Sequence, residues 1–472
     1  MPAPVDVVIG VDAGTTSTKT VAIDESGAIV ASGTSELIPT HSPSPGASVQ
    51  DPAAIWDAFC AACRAAAKSC AAAVRVRALA VAAQSGSVVP VVNGHAGGPR
   101  DEALTWMDSR STPLVESWDA STLDTIRARS GWMPSPGLGL SSICWLIGAD
   151  DLHAERWASV DDYLLWNLVG SWVTNPSNAS GMQLMDVSSK QWSPDLCKIA
   201  GVEPSSLSTI RESGESAGSI TPAASHATGL PTTIPVIVGG HDQTCAALGL
   251  GAADAGSAFL SMGTAWVLTM ITDGADAAAI PDGFNLSPHV VPGRWSLSQN
   301  LGGLGAVLAA ALADASDTIK PDPPSLGDPY FIPTIHDSDR SGWGELTDRI
   351  ANRDPEMRIR ATMEACAFEV RRAVEETSFT VALRELSVVG GGTRSRYLTQ
   401  QIANTLGVPL VVRADASWPA LGAAKLAADS LGWTPDVTAA LPSTTVSPEQ
   451  PPDDTGEQRY IEYRRLTTGT SQ

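Results

Sequence analysis

The sequence predicts an α/β protein built from two related lobes with a ligand cleft between them, and three observations carry that reading. The chain is 472 residues long, more than one hydrophobic core usually organises. An apolar strand, a Gly-Thr turn and a second apolar strand occur twice, as VDAGTTSTKTVAI near residue 12 and LSMGTAWVLTMIT near residue 262. A strand ending in a glycine pair also occurs twice and in the same order, as IPVIVGGHD (234–242) and LSVVGGGTRS (386–395). The spacings differ: 225 residues separate Gly14 from Gly239 and 127 separate Gly263 from Gly390, so the first lobe carries about 98 extra residues. Chance recurrence of common Gly-Thr and Gly-Gly pairs is the alternative to duplication.

The elements follow in order. Apolar alternation and β-branched residues predict strands at 5–12, 17–24 and 28–34, the last two joined by the turn DESG (24–27). Asp51-Pro52 opens an Ala-rich helix over 53–74, and VRALAVAAQ (76–84) reads as a strand. Cys60 and Cys63 form a C-x-x-C in that helix, either as small packing residues or as a metal or redox pair. AALGLGAADAG (246–256) has the composition of a hinge, about which the cleft is expected to close on a ligand. Helices are expected over 355–376 and 419–430, and the Pro-rich, acidic stretch 440–457 reads as loop or tail rather than core. The domain boundaries expected are 1–248, 249–435 and a tail over 436–472.

Composition narrows the function. With 43% hydrophobic and 17% charged residues, this is the composition of a soluble globular protein. A formal charge of −21 argues against nucleic acid and anionic membranes as partners. It leaves room for an anionic nucleotide held by local amides and a metal ion. The N-terminal MPAPVDVV has neither the basic region nor the apolar core of a secretory signal, and no run of 18 apolar residues predicts a spanning helix. Seven scattered cysteines, an odd number, suit reduced thiols and a cytoplasmic location.

Chemistry concentrates in the turns. A Gly-Thr turn aims amides and hydroxyls at phosphate oxygens, and a carboxylate at the end of the preceding strand can hold Mg²⁺. Asp12 is therefore the candidate metal ligand, with Thr15, Thr16 and Lys19 beside it and Gly263 and Thr264 in the second copy. An ordinary hairpin is the alternative for either copy alone. No G-x-x-x-x-G-K-[ST] occurs, and GGLGAV (302–307), which contains Gly305, lacks the acidic partner of a dinucleotide site. A phosphoryl acceptor must also lose its proton, and Asp242, after the strand in VGGHDQT, is the candidate general base. His241 is the rival base, and capping a helix that starts at Gln243 is the non-catalytic alternative for Asp242.

GVDAGTTSTK, GGHDQTCAALGLG, SMGTAW, VVGGGTRSRYLTQQIANTLGVPLVV and WPALGAAKLA resemble, in order, the FGGY carbohydrate kinases over roughly residues 5 to 430. SVQDPAAIW, TWMDSR and TNPSNASGMQLMDVSSKQW are further segments similar to that family. The resemblance implies two actin-like, ribonuclease-H-like domains closing over Mg²⁺-ATP and a sugar or polyol. Position by position, it puts Asp12 at the metal and phosphates, Thr15 and Thr16 in the first phosphate loop, and Gly263 and Thr264 in the second. Gly391, Gly392 and Thr393 fall beside the adenosine, Lys19 and Gly305 with the nucleotide, and Asp242 on the base. Gln84, Ser85, Trp106, Asp108, Asp242 and Gln243 fall at the sugar, although core packing is the alternative for Trp106. The Gln-Met-His-Gly or Arg-Glu of relatives is absent at 84–85, and Gly-Glu-Arg-Thr-Pro is absent from 331–347. The layout, including PGLGLSSICWL (136–146), is most similar to the xylulokinase branch, which implies a ketopentose such as xylulose. Glycerol, gluconate and ribulose stay open as substrates, as do an actin- or chaperone-like ATPase switch, a silent sugar-binding relative and a homodimer.

Overall fold

Val7, Ile9 and Val11 share a core with Ile55, Phe59 and Cys63 of the helix Pro52–Ser69. Alternate residues of a strand face opposite ways, so Gly10 lies on the other face, where a Cβ would overlap the backbone of Ala420 and Ala424 in the helix Trp418–Asp429. A strand covered on both sides reads as a continuous apolar run, which is why Val5–Ala13 was visible in the sequence. This geometry comes from a computed structural model. It describes residues 4–69, 73–150, 152–312, 325–333, 345–346, 355–377, 383–449 and 454–468. Most of 331–347, where the sequence departs from its relatives, falls outside those residues.

The chain divides into two units, each assembled from separate stretches. The first comprises Met1–Ala253, Asp273–Leu297 and Ala416–Ala440, and the second comprises Asp254–Thr272, Ser298–Asp415 and Leu441–Gln472. The sheet of the first unit has six strands, in the order Ser216–Ser219, Pro235–His241, Val74–Ala83, Val5–Ala13, Thr18–Ile23, Ile29–Thr34. Val5–Ala13 runs antiparallel to Thr18–Ile23 and parallel to Val74–Ala83, which in turn runs parallel to Pro235–His241. In the second unit five of the seven strands of a sheet follow in the order Trp266–Thr272, Ala258–Met262, Leu386–Val389, Leu410–Arg413, Ser443–Val446. Its parallel and antiparallel pairings repeat those of the first.

The repeat is real, but one pairing of its parts needs correction. The strand parallel to the Gly-Thr hairpin is Val74–Ala83 in the first unit and Leu386–Val389 in the second. LSVVGGGTRS thus corresponds to VRALAVAAQ, and IPVIVGGHD corresponds to Leu410–Arg413. The glycine pairs misled because they answer different local needs. A Cβ on Gly239 would overlap the Val81 carbonyl across the sheet, whereas Gly390 has φ +99 and abuts Met262. The extra length of the first unit accordingly lies between its second and third parallel strands. Residues 84–234, 151 in number, stand where the second unit has only the 20 residues 390–409. Much of that insertion folds around a core of its own, which includes Leu104, Ile126, Leu140 and Leu184.

Two further expectations are settled here. Cys60 and Cys63 are buried free thiols, pushed up to about 12 by burial, so the packing reading of the C-x-x-C holds. The stretch expected as loop or tail contains the strand Ser443–Val446 and leads into the helix Asp454–Thr468, which is packed into the second unit. The Arg459 guanidinium donates to both oxygens of Glu364 at 2.6 Å, and the Tyr463 hydroxyl donates to Glu369 at 2.6 Å. Polar composition hid this helix because its buried side chains are an arginine and tyrosines satisfied by carboxylates.

Candidate active site

Three parallel strands of the first unit end level with one another. Asp12 lies opposite Ala82, which lies opposite Gly240, and in the next row Ala13 faces Ala83, which faces His241. This register brings together Asp12, Gln84 one residue past its strand, and Asp242 one residue past its own. Open α/β sheets bind ligands beyond the carboxyl ends of such strands.

Asp12 accepts a hydrogen bond from the Ser417 hydroxyl at 2.8 Å. Burial, reinforced by the charge of Asp242, raises its carboxyl from 3.8 to about 7; the Ser417 hydrogen bond and Lys19 oppose that rise. Lys19 is the cross-strand partner of Asp12. Asp242 is the first residue of the helix Asp242–Gly249, whose N-cap position is His241 and which has no side-chain cap bond. Its carboxylate is thus not a cap; it lies 3.0 Å from His241 Nε2. The His241 amide donates to Ser177 Oγ at 2.9 Å, which fixes the strand-to-helix corner.

The first Gly-Thr turn is tied to the candidate sugar residues. Thr15 Oγ1 donates to Gln84 Oε1 at 2.7 Å and accepts from Trp106 Nε1 at 3.0 Å, while its carbonyl accepts from Gln50 Nε2 at 2.6 Å. Trp106 is 46% exposed, so it is not a core residue. Among the described residues Gln84 is buried with Nε2 unpaired, and Gln243 Oε1 is likewise buried without a partner, leaving two amide groups for a ligand's hydroxyls. The Ser85 hydroxyl donates a long 3.5 Å bond to the Asn178 carbonyl. Asp108 behaves otherwise. Both its oxygens are taken by Arg110, one also by the Ser48 amide, and its side chain is 2% exposed. These bonds anchor the 105–110 loop. Sequence reasoning did not single out Gln50, Ser177 or Ser417; SVQDPAAIW and TNPSNASG were noted only as segments, and Ser417 had no signal at all.

The second unit gathers its own set. Gly263 and Thr264 form an exposed turn between two strands. A Cβ on Gly305 would overlap the Gly263 carbonyl, so the helix Leu304–Leu312 begins against this turn. A Cβ on Gly390 would crowd Met262 and the Gly263 amide, and one on Gly392 would crowd Met262. Thr393 Oγ1 donates to the Gly390 carbonyl at 2.7 Å, closing the Gly391–Arg394 turn. Gly263, Thr264, Gly305 and Gly391–Thr393 therefore form one backbone-rich, glycine-lined patch, the kind of surface that cradles phosphates.

The sequence matches the model of the FGGY family of carbohydrate kinases, N-terminal domain, over residues 7–249, and the C-terminal domain of the same family over residues 249–431. The chain belongs to the FGGY family of carbohydrate kinases. It is 26% identical to a xylulose kinase of Escherichia coli strain K12, covering 97% of this chain and 96% of the relative. It is 30% identical to a glycerol kinase of Delftia acidovorans, covering 90% of each. Its fold matches the crystal structure of a gluconate kinase from Lactobacillus acidophilus with a TM-score of 0.87, over 99% and 97% of the two chains at 21% identity. The fold is accordingly the two-domain, actin-like α/β fold of FGGY kinases, and membership implies ATP as phosphoryl donor. Among the described residues no helix is long and apolar enough to cross a membrane.

For an FGGY kinase the arrangement around Asp12 suits a divalent cation. Two carboxylates oppose one another there, one of them pushed up by burial, and a cation relieves both costs. Among the described residues no cluster of three or more metal-ligating side chains exists. Mg²⁺ asks for little more than one or two carboxylates together with substrate phosphates.

Proposed function

We propose that this FGGY kinase transfers the γ-phosphoryl group of Mg²⁺-ATP to a hydroxyl of a small sugar, a ketopentose such as xylulose, with Asp242 as general base. The observation that supports this best is the level ending of the three parallel strands, with Asp12, Gln84 and Asp242 beyond them. The acceptor hydroxyl gives its proton to an Asp242 oxygen as its electron pair attacks the γ-phosphorus, and the bond to ADP breaks. Asp12 would hold the metal, which neutralises charge on the phosphates. Gln84, Gln243, Ser85 and Trp106 are assigned to the sugar; the unpaired amides meet hydroxyls and the exposed indole offers an apolar face. The patch around Gly263, Thr264, Gly305 and Gly391–Thr393 is assigned to the nucleotide, with Thr15, Thr16 and Lys19 near the phosphates. The coverage of the xylulose kinase supports the ketopentose, while glycerol and gluconate are the competing substrates. Free, mostly buried cysteines support a cytoplasmic location.

A panel of ketoses, polyols and aldonates, scored for sugar-dependent ADP release, tests the substrate. Asp242→Asn tests the base: kcat is expected to fall about 10²–10⁴-fold, roughly 3–5 kcal/mol, with sugar and ATP affinities little changed. His241→Ala should be milder. An active Asp242→Asn beside an inactive His241→Ala would move the role to His241.

A further inference from the structure

Side chains at N-cap positions in this chain normally cap their own helices. Asp119, Ser159, Asn175, Ser193, Thr221 and Ser395 each accept a hydrogen bond from the amide three residues on. Ser417, at the N-cap of Trp418–Asp429, makes no such bond. Its hydroxyl instead donates to Asp12 Oδ2 at 2.8 Å, across 405 residues of sequence. The helix has no slack that would make this contact incidental. A Cβ on Gly10 would overlap the backbone of Ala420 and Ala424, one on Gly249 would overlap the Trp418 carbonyl, and one on Gly422 would overlap the Cys245 carbonyl. Ser417 is therefore held by backbone packing against both the strand that carries Asp12 and the helix that begins at Asp242. It engages Oδ2 and leaves Oδ1, on the Gly14 side, to a ligand.

We propose that Ser417 is a positioning residue that fixes the Asp12 carboxylate for the divalent cation, giving up its own helix cap to do so. This rests on the reading of Asp12 as the metal carboxylate. Groups that orient a metal ligand typically change metal affinity by about 10–100-fold when removed. The test is titration of the full-length protein with Mn²⁺ in the presence of saturating ADP, following free Mn²⁺ by electron paramagnetic resonance. Ser417→Ala should weaken Mn²⁺ binding about 10–100-fold, Ser417→Thr should restore it, and Ser417→Cys, a weak donor of similar size, should fall between. Because no cap bond is lost, metal-free Ser417→Ala should stay folded, its thermal midpoint lowered only by the loss of the one hydrogen bond to Asp12. Unchanged Mn²⁺ affinity in Ser417→Ala, while Asp12→Ala loses it, would overturn the role of Ser417 alone. Unchanged affinity in Asp12→Ala would overturn the metal reading and this inference with it. A failure of Ser417→Thr to restore binding that Ser417→Ala loses would also overturn it, since packing rather than the hydroxyl would then be responsible.

Discussion

Replacing Asp12 with Asn should stabilise the metal-free protein, and the gain should depend on pH. The folded chain holds the Asp12 proton up to about 7, against 3.8 for an unperturbed carboxyl, chiefly because the ionised form loses water on burial and then meets the charge of Asp242. A folded value above the unfolded one means the favourable state is the protonated one. Asp12 costs nothing below about pH 3.8, and the cost grows as pH rises, reaching its full size once pH passes about 7. Linkage puts that cost at under about 2 kcal/mol at pH 5 and on the order of 4 kcal/mol at pH 8. Asn keeps an oxygen for the Ser417 hydroxyl but carries no charge, so Asp12→Asn should exceed the parent by about 2–3 kcal/mol more at pH 8 than at pH 5. Denaturant unfolding of both proteins in a chelator at the two pH values measures the difference, because other titrating groups largely cancel between them. A stability difference that is the same at both pH values would refute the argument, and so would Asp12→Asn proving less stable at pH 8.

Other substitutions probe the packing. Gly422→Ala should destabilise the first unit by about 1–3 kcal/mol or more, because its Cβ meets the Cys245 carbonyl, which cannot move aside as a side chain can; an unchanged thermal midpoint would count against this. Arg459→Met leaves Glu364 buried without its partner and should cost about 3–5 kcal/mol, whereas the double change with Glu364→Leu should recover much of it. If the double variant is no better than the single one in the same melt, the ion pair is not the cause.

The sequence was most legible where one residue type served one purpose. Val5–Ala13 announced itself because both of its faces are buried, and Asp12 and the Gly-Thr turns stood out because polar residues interrupt apolar strands. Glycine was less readable, since Gly239 and Gly390 look alike in text while one relieves a cross-sheet contact and the other adopts a positive φ. Asp108 and Trp106 sit two residues apart in one segment, yet only the fold shows that Arg110 consumes the carboxylate while the indole stays exposed. Ser417 was invisible because its partner is 405 residues away and a serine before a helix already has an ordinary explanation.

The discontinuous first unit has a consequence for how the protein is made. Its sheet receives the helix Trp418–Asp429 on the Gly10 face, yet that helix lies beyond most of the second unit in the chain. A ribosome adding about 5–20 residues per second needs roughly 10–40 s to travel from residue 253 to residue 440. For that interval the nascent first unit lacks the helix that packs on the Gly10 face of its sheet. A chain released at residue 253 would never acquire it. The unit that emerges first is thus completed only after most of the second has been made, and stalls or truncations between residues 253 and 416 leave the first unit unfinished as well.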